Sequence, residues 1–331
     1  MIITRTPFRI SFFGGGTDYK PWYLEHGGSV IATTIDKYCY ISCRRLPPFF
    51  EHKHRIVYSK IENVRKIDEI VHPAVRNILD WMEVDEGLEI HHDGDLPARS
   101  GLGSSSSFSV GLIHAIRALR GQYSSKRELA ADAIHVEQDI IKENVGSQDQ
   151  ISAAYGGFNR IDFLPSGDFA VSPVVMNPDR LEVLEDHLMM FFTGITRFAT
   201  QVAKSQIDNI KNRYAELKTM HGMVDQGIDI LRAPGTDLSD FGMLLDETWR
   251  HKRSLSENIS NSEIDEIYAA ARSAGALGGK LLGAGGGGFL LIFAKPEDQP
   301  KVRQALHRLV HVPFKFEHSG STVALYQPSG L

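Results

Sequence analysis

The 331-residue sequence has only two cysteines, and none of its apolar runs approaches the ~20 residues that a membrane-spanning helix needs. Cys39 and Cys43 are too few for the disulfide framework of a secreted domain, and they fit no metal-ligand pattern. The first residues also lack the apolar core and the small-residue cleavage site of a signal peptide. These absences predict a cytoplasmic protein that does not cross a membrane.

Charge of either sign is not in large excess. The chain has 36 Lys and Arg against 41 Asp and Glu, a net charge of −5, so it lacks the basic field that attracts nucleic acid or anionic membranes. Hydrophobic residues make up 42% and charged residues 23%, which excludes the disordered and fibrous classes. We therefore expect a globular protein that binds small molecules, with neither nucleic acid nor membrane as a partner. A homodimer is left open.

The predicted secondary structure changes along the chain. Apolar, β-branched segments predict strands early on, at Ile2–Phe13, Ser29–Ile35 and Lys37–Cys43. Helical periodicity follows at Ser104–Leu119 and Ser125–Glu143, and later at Thr200–Leu231 with a break expected near Gly222. This order favours an α+β fold in two lobes, residues 1–175 and 176–331, over a doubly wound parallel sheet.

Glycine is common and concentrated in three places. The 30 glycines include the clusters Gly14-Gly15-Gly16, Gly101-x-Gly103 and Gly283-x-Gly285-Gly286-Gly287-Gly288. Clustered glycine allows positive φ angles and close approach of the backbone to another group. We therefore expect the functional site at these clusters.

The second cluster predicts a phosphate-binding loop. It opens directly into a helix with four serines in its first turn, where free N–H groups and the helix dipole favour an anion such as a triphosphate. A serine hydroxyl there can also reach Mg²⁺. One serine would be enough to cap the helix, so four of them favour the phosphate interpretation. The predicted phosphate-binding residues are Pro97, Gly101, Leu102, Gly103, Ser104, Ser105 and Ser106.

Two common nucleotide motifs are excluded. No glycine cluster is followed by the lysine of the G-x-x-x-x-G-K-[ST] loop. Gly283-x-Gly285-x-x-Gly288 matches the dinucleotide pattern, but it leads into the strand-like segment Phe289–Phe293 where that motif needs a helix. We expect the third cluster to be a scaffold whose backbone packs against this phosphate-binding loop.

Three segments, in this order, resemble the GHMP kinase family, which includes galactokinase, homoserine kinase and mevalonate kinase. They are Pro7–Tyr19, Pro97–Ser107, which corresponds to the family's ATP loop, and Lys280–Phe289. The resemblance extends over nearly the whole chain. It implies a two-lobed α+β fold with the active site in the cleft between the lobes, and ATP with Mg²⁺ as co-substrate.

Further segments are most similar to the family members that phosphorylate the anomeric hydroxyl of a heptose 7-phosphate: Ile35–Tyr38, Asn144–Gln150 and Tyr155–Asn159. Galactokinase has a Glu-His pair where this chain has Gly15-Gly16, and losing that pair removes negative charge and opens volume for a larger anionic sugar. Three alternatives stay open: an L-fucose-type or other sugar 1-kinase, a catalytically inactive sugar- and ATP-binding relative, and a decarboxylase of the same superfamily.

The resemblance also implies roles for charged residues. Asp149 matches the catalytic base, Glu137 the Mg²⁺ ligand, and Arg9 an arginine beside the base. A fixed cation there would lower the base's pKa and stabilise charge on the transferring phosphoryl group. Ser105 is the first choice as a second Mg²⁺ ligand, with Ser104 and Ser106 as close competitors.

The acceptor side is predicted around the first glycine cluster. Asp18 is expected to accept hydrogen bonds from sugar hydroxyls, with Gly15, Gly16 and Thr17 beside it. A sugar 7-phosphate would also need a cation. Arg197 is the first choice and Lys20 the second, although a solvated arginine at a helix start is an equally open interpretation for Arg197.

Overall fold

The computed structural model describes residues 1–98, 100–195, 199–233 and 237–329. These residues form two β-sheets with helices packed against them. The strands are β1 (Ile2–Phe13), β2 (Gly28–Arg45), β3 (His54–Val57), β4 (Ile61–Val64), β5 (Leu88–Gly94), β6 (Phe158–Phe163), β7 (Phe169–Pro173), β8 (Leu188–Phe192), β9 (Gly278–Leu281), β10 (Phe289–Phe293), β11 (Val310–His311), β12 (Phe316–Glu317) and β13 (Thr322–Tyr326).

The helices pack on these sheets or connect their strands. They are α1 (Lys20–His26), α2 (Pro73–Trp81), α3 (Ser104–Leu119), α4 (Lys126–Ile134), α5 (Gln148–Tyr155), α6 (Pro178–Asp186), α7 (Ala199–Asn209), α8 (Tyr214–Arg232), α9 (Ser239–Ser254), α10 (Ser262–Ser273) and α11 (Gln299–Ala305). Short 3₁₀ turns cover Ile67–Glu69 and Ile210–Asn212, and a π-helical turn covers His135–Ile140. No helix among the described residues is long and apolar enough to cross a membrane. The cytoplasmic location stays a prediction.

The first sheet has the strand order β13-β1-β2-β5-β3-β4, and β6, β7 and β12 extend it from β2. The sequence predicted two strands around Asp36-Lys37, whereas β2 is one strand of 18 residues. Opposite Pro7, which has no N–H to donate, the register of β1 against β2 shifts. The polar pair therefore lies in a bulge rather than a turn. Cys39 and Cys43 are buried.

The second sheet has the order β11-β8-β10-β9, with every pair antiparallel. Its central strand β10 is fully buried. After this sheet the chain returns to the first one, where β12 pairs with β2 and β13 with β1. The prediction of an α+β fold is therefore confirmed, while the boundary between residues 175 and 176 stays a prediction.

Aromatic side chains join the two sheets. The ring of Phe241 on α9 lies 4.9 Å from that of Phe13 on β1 and 6.1 Å from that of Phe293 on β10, measured between centroids. Lys280 on β9 donates a hydrogen bond from Nζ to the carbonyl of Phe12, at 2.9 Å. These contacts hold the glycine-rich ends of β1 and β9 close together.

Two helix predictions were wrong in detail. Helix α8 runs straight through Gly222, where a break was expected; the actual break is the 3₁₀ turn Ile210–Asn212. Gly222 is exposed and needs no packing partner, so the helix tolerates it at a small cost in propensity. The helix expected over Ser125–Glu143 ends at Ile134 and continues as the π-helical turn that carries Glu137. Such turns are frequent at functional sites.

Candidate active site

A part-buried ion pair joins the first strand to the start of α5. Arg9 Nε donates to Asp149 Oδ1 at 2.8 Å and Arg9 Nη2 donates to Asp149 Oδ2 at 2.9 Å. Arg9 Nη1 donates to the carbonyl of Gly101 at 2.6 Å, so the pair is tied to the predicted ATP loop. Burial raises the pKa of the Asp149 carboxyl; the Arg9 guanidinium opposes this rise and the charge of Asp18 adds to it. The bidentate contact favours the ionised form that a base requires.

The first turn of α5 brings three predicted site residues together. Asp149 contacts Arg9, while its two neighbours hold the other carboxylates: Gln148 Nε2 donates to Asp18 Oδ2 at 2.8 Å, and Gln150 Nε2 donates to Glu137 Oε2. Successive residues at a helix start point in different directions, so one turn can contact three groups. The two glutamines were not predicted, although they flank Asp149 in one of the segments that carry the resemblance.

Asp18 is held in a fixed orientation at the first glycine cluster. It is buried, and its Oδ1 accepts from the Gly16 N–H at 2.9 Å. A Cβ on Gly146 would collide with Asp18 Oδ2, so the chain must have glycine there for the backbone to approach this carboxylate. An ionised carboxylate has about four lone-pair sites, and these two hydrogen bonds occupy only two of them. Asp18 can therefore still accept a hydrogen bond from a sugar hydroxyl.

Glu137 is buried behind the N-terminus of α3. Its Oε2 accepts from Ser106 Oγ at 2.8 Å, and its Oε1 has no hydrogen-bond partner among the described residues. Burial raises the pKa of Glu137 to about 7, and the nearby charge of Glu143 adds to the rise. A buried carboxylate oxygen without a partner is costly unless a cation binds it. Glu137 and Ser106 therefore fit a hard cation such as Mg²⁺.

Ser105, the first choice as the second Mg²⁺ ligand, is exposed. Ser106 is the serine that contacts Glu137, because it lies on the buried side of α3. Within the described part of the chain no cluster of three or more His, Cys, Asp or Glu side chains could hold a metal ion. Mg²⁺ commonly takes only one or two protein ligands and completes its shell with substrate phosphates and water, so this sparse set still suits it.

The ATP loop has the predicted form. Helix α3 begins at Ser104 and ends at Leu119 as predicted, and Gly103 at its N-cap has a φ of 75°. A Cβ on Gly103 would lie 3.3 Å from Arg9 Cγ and 3.5 Å from Asp149 Cγ, which places the loop directly against the ion pair. The Leu102 carbonyl accepts from the Arg9 N–H at 3.1 Å.

The third glycine cluster supports this loop. A Cβ on Gly283 would lie 2.6 Å from the Gly101 Cα, and the Phe289 N–H donates to the Ser100 carbonyl at 3.1 Å. The backbones thus pack in direct contact, as the sequence predicted. Side chains larger than hydrogen would force the loop and β10 apart.

Two buried lysines belong to the site and were not predicted as site residues. Lys252 on α9 donates to Gln206 Oε1 at 2.7 Å, and burial lowers its pKa to about 8. Burial likewise lowers the pKa of Lys280 to about 7. Lys280 is the first residue of the segment Lys280–Phe289, and this position is the sequence feature that could have identified it as a site residue. Lys252 lies in an ordinary amphipathic helix and carries no local signal.

Some predicted residues have other surroundings. The Thr17 hydroxyl donates to the Gly14 carbonyl at 2.8 Å and accepts from the Ser29 N–H at 3.1 Å. It therefore stabilises the turn, and its hydroxyl is not directed at the acceptor sugar. Lys20 forms an ion pair of 2.6 Å with Asp139 and is not a free cation. Pro97 is exposed at the edge of the loop. Arg197 lies outside the described residues.

A glycine-lined helix N-terminus beside a part-buried Arg–Asp pair offers an anion site next to a positioned carboxylate, as phosphoryl transfer requires. The family model "GHMP kinases N terminal domain" matches residues 69–157, and "GHMP kinases C terminal" matches residues 229–311. Together the matches cover just over half of the chain. The chain belongs to the GHMP kinase family, and it is an enzyme that transfers a phosphoryl group to an alcohol.

Individual relatives agree with this family. The D-glycero-alpha-D-manno-heptose 7-phosphate kinase of Campylobacter jejuni is 29% identical over 317 residues, 93% of each chain. The bifunctional fucokinase/GDP-fucose pyrophosphorylase of Arabidopsis thaliana is 26% identical over 325 residues, which cover 91% of this chain and 30% of that protein. A crystal structure of a D-glycero-D-manno-heptose 1-phosphate kinase from Bacteroides thetaiotaomicron has a TM-score of 0.79 at 22% identity, covering 99% of this chain and 100% of that one. The last match confirms the two-lobed fold.

Proposed function

We propose that the protein is an ATP-dependent sugar kinase that phosphorylates the anomeric C1 hydroxyl of D-glycero-D-manno-heptose 7-phosphate. The product would be the 1,7-bisphosphate, a precursor for nucleotide-activated heptose. The observation that carries the substrate assignment is the similarity to the Campylobacter jejuni heptose 7-phosphate kinase, which extends over 93% of both chains.

Asp149 is the proposed base. Its carboxylate accepts the proton of the C1 hydroxyl, and the two hydrogen bonds from Arg9 fix the direction of its free lone pairs. Arg9 is also a fixed cation beside the bond that forms, where phosphoryl transfer develops charge on the oxygens of the moving group. Preorganised donors of this kind stabilise the transition state without reorganising during the reaction.

The triphosphate side is formed by the ATP loop and α3. Gly101 and Gly103 let the backbone approach the phosphates, and the positive end of the α3 dipole favours their charge. Glu137 and Ser106 would hold Mg²⁺, and we propose Ser106 in place of Ser105 because it contacts Glu137. Bound Mg²⁺ would neutralise charge on the phosphate oxygens.

The acceptor side is formed by Asp18 and the two glycines before Thr17. Asp18 would accept hydrogen bonds from the sugar hydroxyls, with its orientation set by Gln148 and the Gly16 N–H. Gly15 and Gly16 add neither a side chain nor a negative charge beside Asp18, which suits an anionic acceptor.

An L-fucose-type sugar 1-kinase is the second candidate, favoured by the match to the bifunctional fucokinase/GDP-fucose pyrophosphorylase of Arabidopsis thaliana. That relative is less similar, and the chain spans about a third of its length. A catalytically inactive relative is disfavoured, because the Arg9–Asp149 pair and Glu137 are all in place in the buried site.

An acceptor panel tests the proposal. Purified protein is given Mg-ATP with D-glycero-D-manno-heptose 7-phosphate, the unphosphorylated heptose, L-fucose or galactose, and ADP release is followed by a coupled assay. We expect the highest kcat/KM with the heptose 7-phosphate. A higher value with L-fucose would replace the first candidate by the second. If no ADP is released with any of the four sugars, both candidate functions are contradicted.

A further inference from the structure

Lys252 is a buried ammonium with few hydrogen-bond partners among the described residues. Its side chain is only 5% exposed, and the described residues give it one hydrogen bond, to the neutral amide oxygen of Gln206. An ammonium has three N–H donors, and withdrawing it from water without an anionic hydrogen-bond partner is costly. Such an arrangement persists where an anionic ligand completes it.

The lysine lies beside the first glycine cluster. A Cβ on Gly16 would lie 3.9 Å from Lys252 Nζ and 3.0 Å from Leu217 Cδ2. The Gly16 N–H donates to Asp18, the carboxylate that we assign to the acceptor sugar. Lys252 therefore lies on the acceptor side of the site, next to the position that lacks a side chain.

The buried charges around Lys252 are unequal. Three cations, Arg9, Lys252 and Lys280, lie close to two carboxylates, Asp18 and Asp149. Arg9 is bound in bidentate fashion to Asp149, and Lys280 is bound to the carbonyl of Phe12. Neither Lys252 nor Lys280 has an ion pair among the described residues, and Lys252 is the one of the two that lies beside Gly16.

A second cation lies on the other side of Gly16. Arg213 lines a small cavity there together with Gly16, Tyr19, Gln206 and Leu217. Among the described residues it pairs with Glu216, at 3.1 Å, and its side chain is 41% exposed. Exposed pairs of this kind contribute little to stability, so the guanidinium can turn toward a ligand without a large cost.

We propose that Lys252 binds the anionic group at the far end of the acceptor, with Arg213 as a second contact. In the proposed function this group is the 7-phosphate of the heptose, so the assignment rests on that function. A phosphate bound between an ammonium and a guanidinium receives charge-assisted hydrogen bonds from both. Lys252 then determines selectivity for phosphorylated over neutral sugars.

Lys252→Met tests the assignment, because methionine keeps most of the apolar stem and removes the charge. The control is Lys204→Met, which changes an exposed lysine that pairs with Asp208 on the neighbouring helix α7. For each protein, kcat/KM is measured with heptose 7-phosphate and with the unphosphorylated heptose at saturating Mg-ATP. Selectivity is the ratio of the two values.

We expect Lys252→Met to lower this selectivity about tenfold or more, mainly through KM for the phosphorylated sugar, as expected for a lost hydrogen bond to a charged group. Lys252→Arg should restore part of it, and Lys204→Met should keep the wild-type ratio. Arg213→Gln should lower the ratio by a smaller factor than Lys252→Met, whereas Arg253→Gln, a partly exposed arginine paired with Asp265, should not.

The outcomes separate the two levels of the proposal. A wild-type enzyme that prefers the unphosphorylated heptose contradicts the proposed function. A wild-type preference for the phosphate that survives in Lys252→Met, or an equal loss with both sugars, contradicts the assignment of Lys252. If the melting curve shows that Lys252→Met does not fold, Arg213→Gln decides: a lowered ratio supports the site and an unchanged ratio overturns it.

Discussion

Replacing Glu137 by glutamine should make the metal-free protein progressively more stable than wild type as pH rises. Burial raises the pKa of Glu137 from its ordinary value of 4.5 to about 7. The folded protein therefore binds this proton more tightly than the unfolded chain does. The resulting stability is fully present below pH 4.5 and is lost as pH rises through about 7. Glutamine has no such proton to lose.

The two pKa values set the size of the effect. With 4.5 in the unfolded chain and about 7 in the folded protein, the stability gap between the variant and wild type should grow by about 2.5 kcal/mol from pH 5 to pH 8. Other groups titrate in both proteins and cancel in this comparison. Any difference in packing between the two side chains adds a constant that does not depend on pH.

Urea unfolding in the presence of EDTA measures this gap at the two pH values. Glu263→Gln is the control, since this glutamate is exposed on α10. A gap for Glu137→Gln that changes by less than about 0.5 kcal/mol between pH 5 and pH 8 would refute the reasoning, because Glu137 would then not be a destabilised buried carboxylate.

Three further predictions concern catalysis, metal binding and the helix that was predicted to break. Asp149→Asn should lower turnover by at least ~100-fold while nucleotide affinity stays near wild type, and a loss of less than threefold would exclude Asp149 as the base. Glu137→Gln should raise the Mg²⁺ concentration for half-maximal rate, since a neutral oxygen replaces an anionic ligand; an unchanged titration would remove Glu137 from the metal site. Gly222→Ala should stabilise α8 by roughly 0.5–1 kcal/mol in urea unfolding, because a Cβ there meets open space. In the same helix, Gly227→Ala should destabilise the protein, because its Cβ would lie 2.7 Å from Phe13 Cδ2; the opposite signs would contradict the packing of α8.

The local chemistry of the glycine loops made part of the site predictable. A positive φ at Gly103 and the contact of Gly283 with Gly101 have no substitute among other residues, so the sequence has to show these positions as glycine. Helix α3 was predicted with its correct bounds, because its serine-rich start and apolar face are both local signals. The contact between Arg9 and Asp149 was expected from family resemblance alone, since 140 residues separate them in the chain.

Other features depend on long-range packing and gave no local signal. Which serine contacts Glu137 is decided by the π-helical turn and by the way α3 packs against it, and a run of four serines does not show this. Lys252 belongs to the site only because α9 packs beside Gly16. The single long strand β2 likewise follows from its successive partners β5, β12 and β6, which the composition around Asp36-Lys37 does not reveal.

The position of the new phosphate tests the central claim most directly. Wild-type protein is incubated with Mg-ATP and D-glycero-D-manno-heptose 7-phosphate, and the product is examined by ³¹P NMR with coupling to the anomeric proton. The account predicts a second phosphate on C1 with the 7-phosphate retained, and no such signal above background with Asp149→Asn. A phosphate on another carbon, or the same product at a similar rate from the variant, would contradict it.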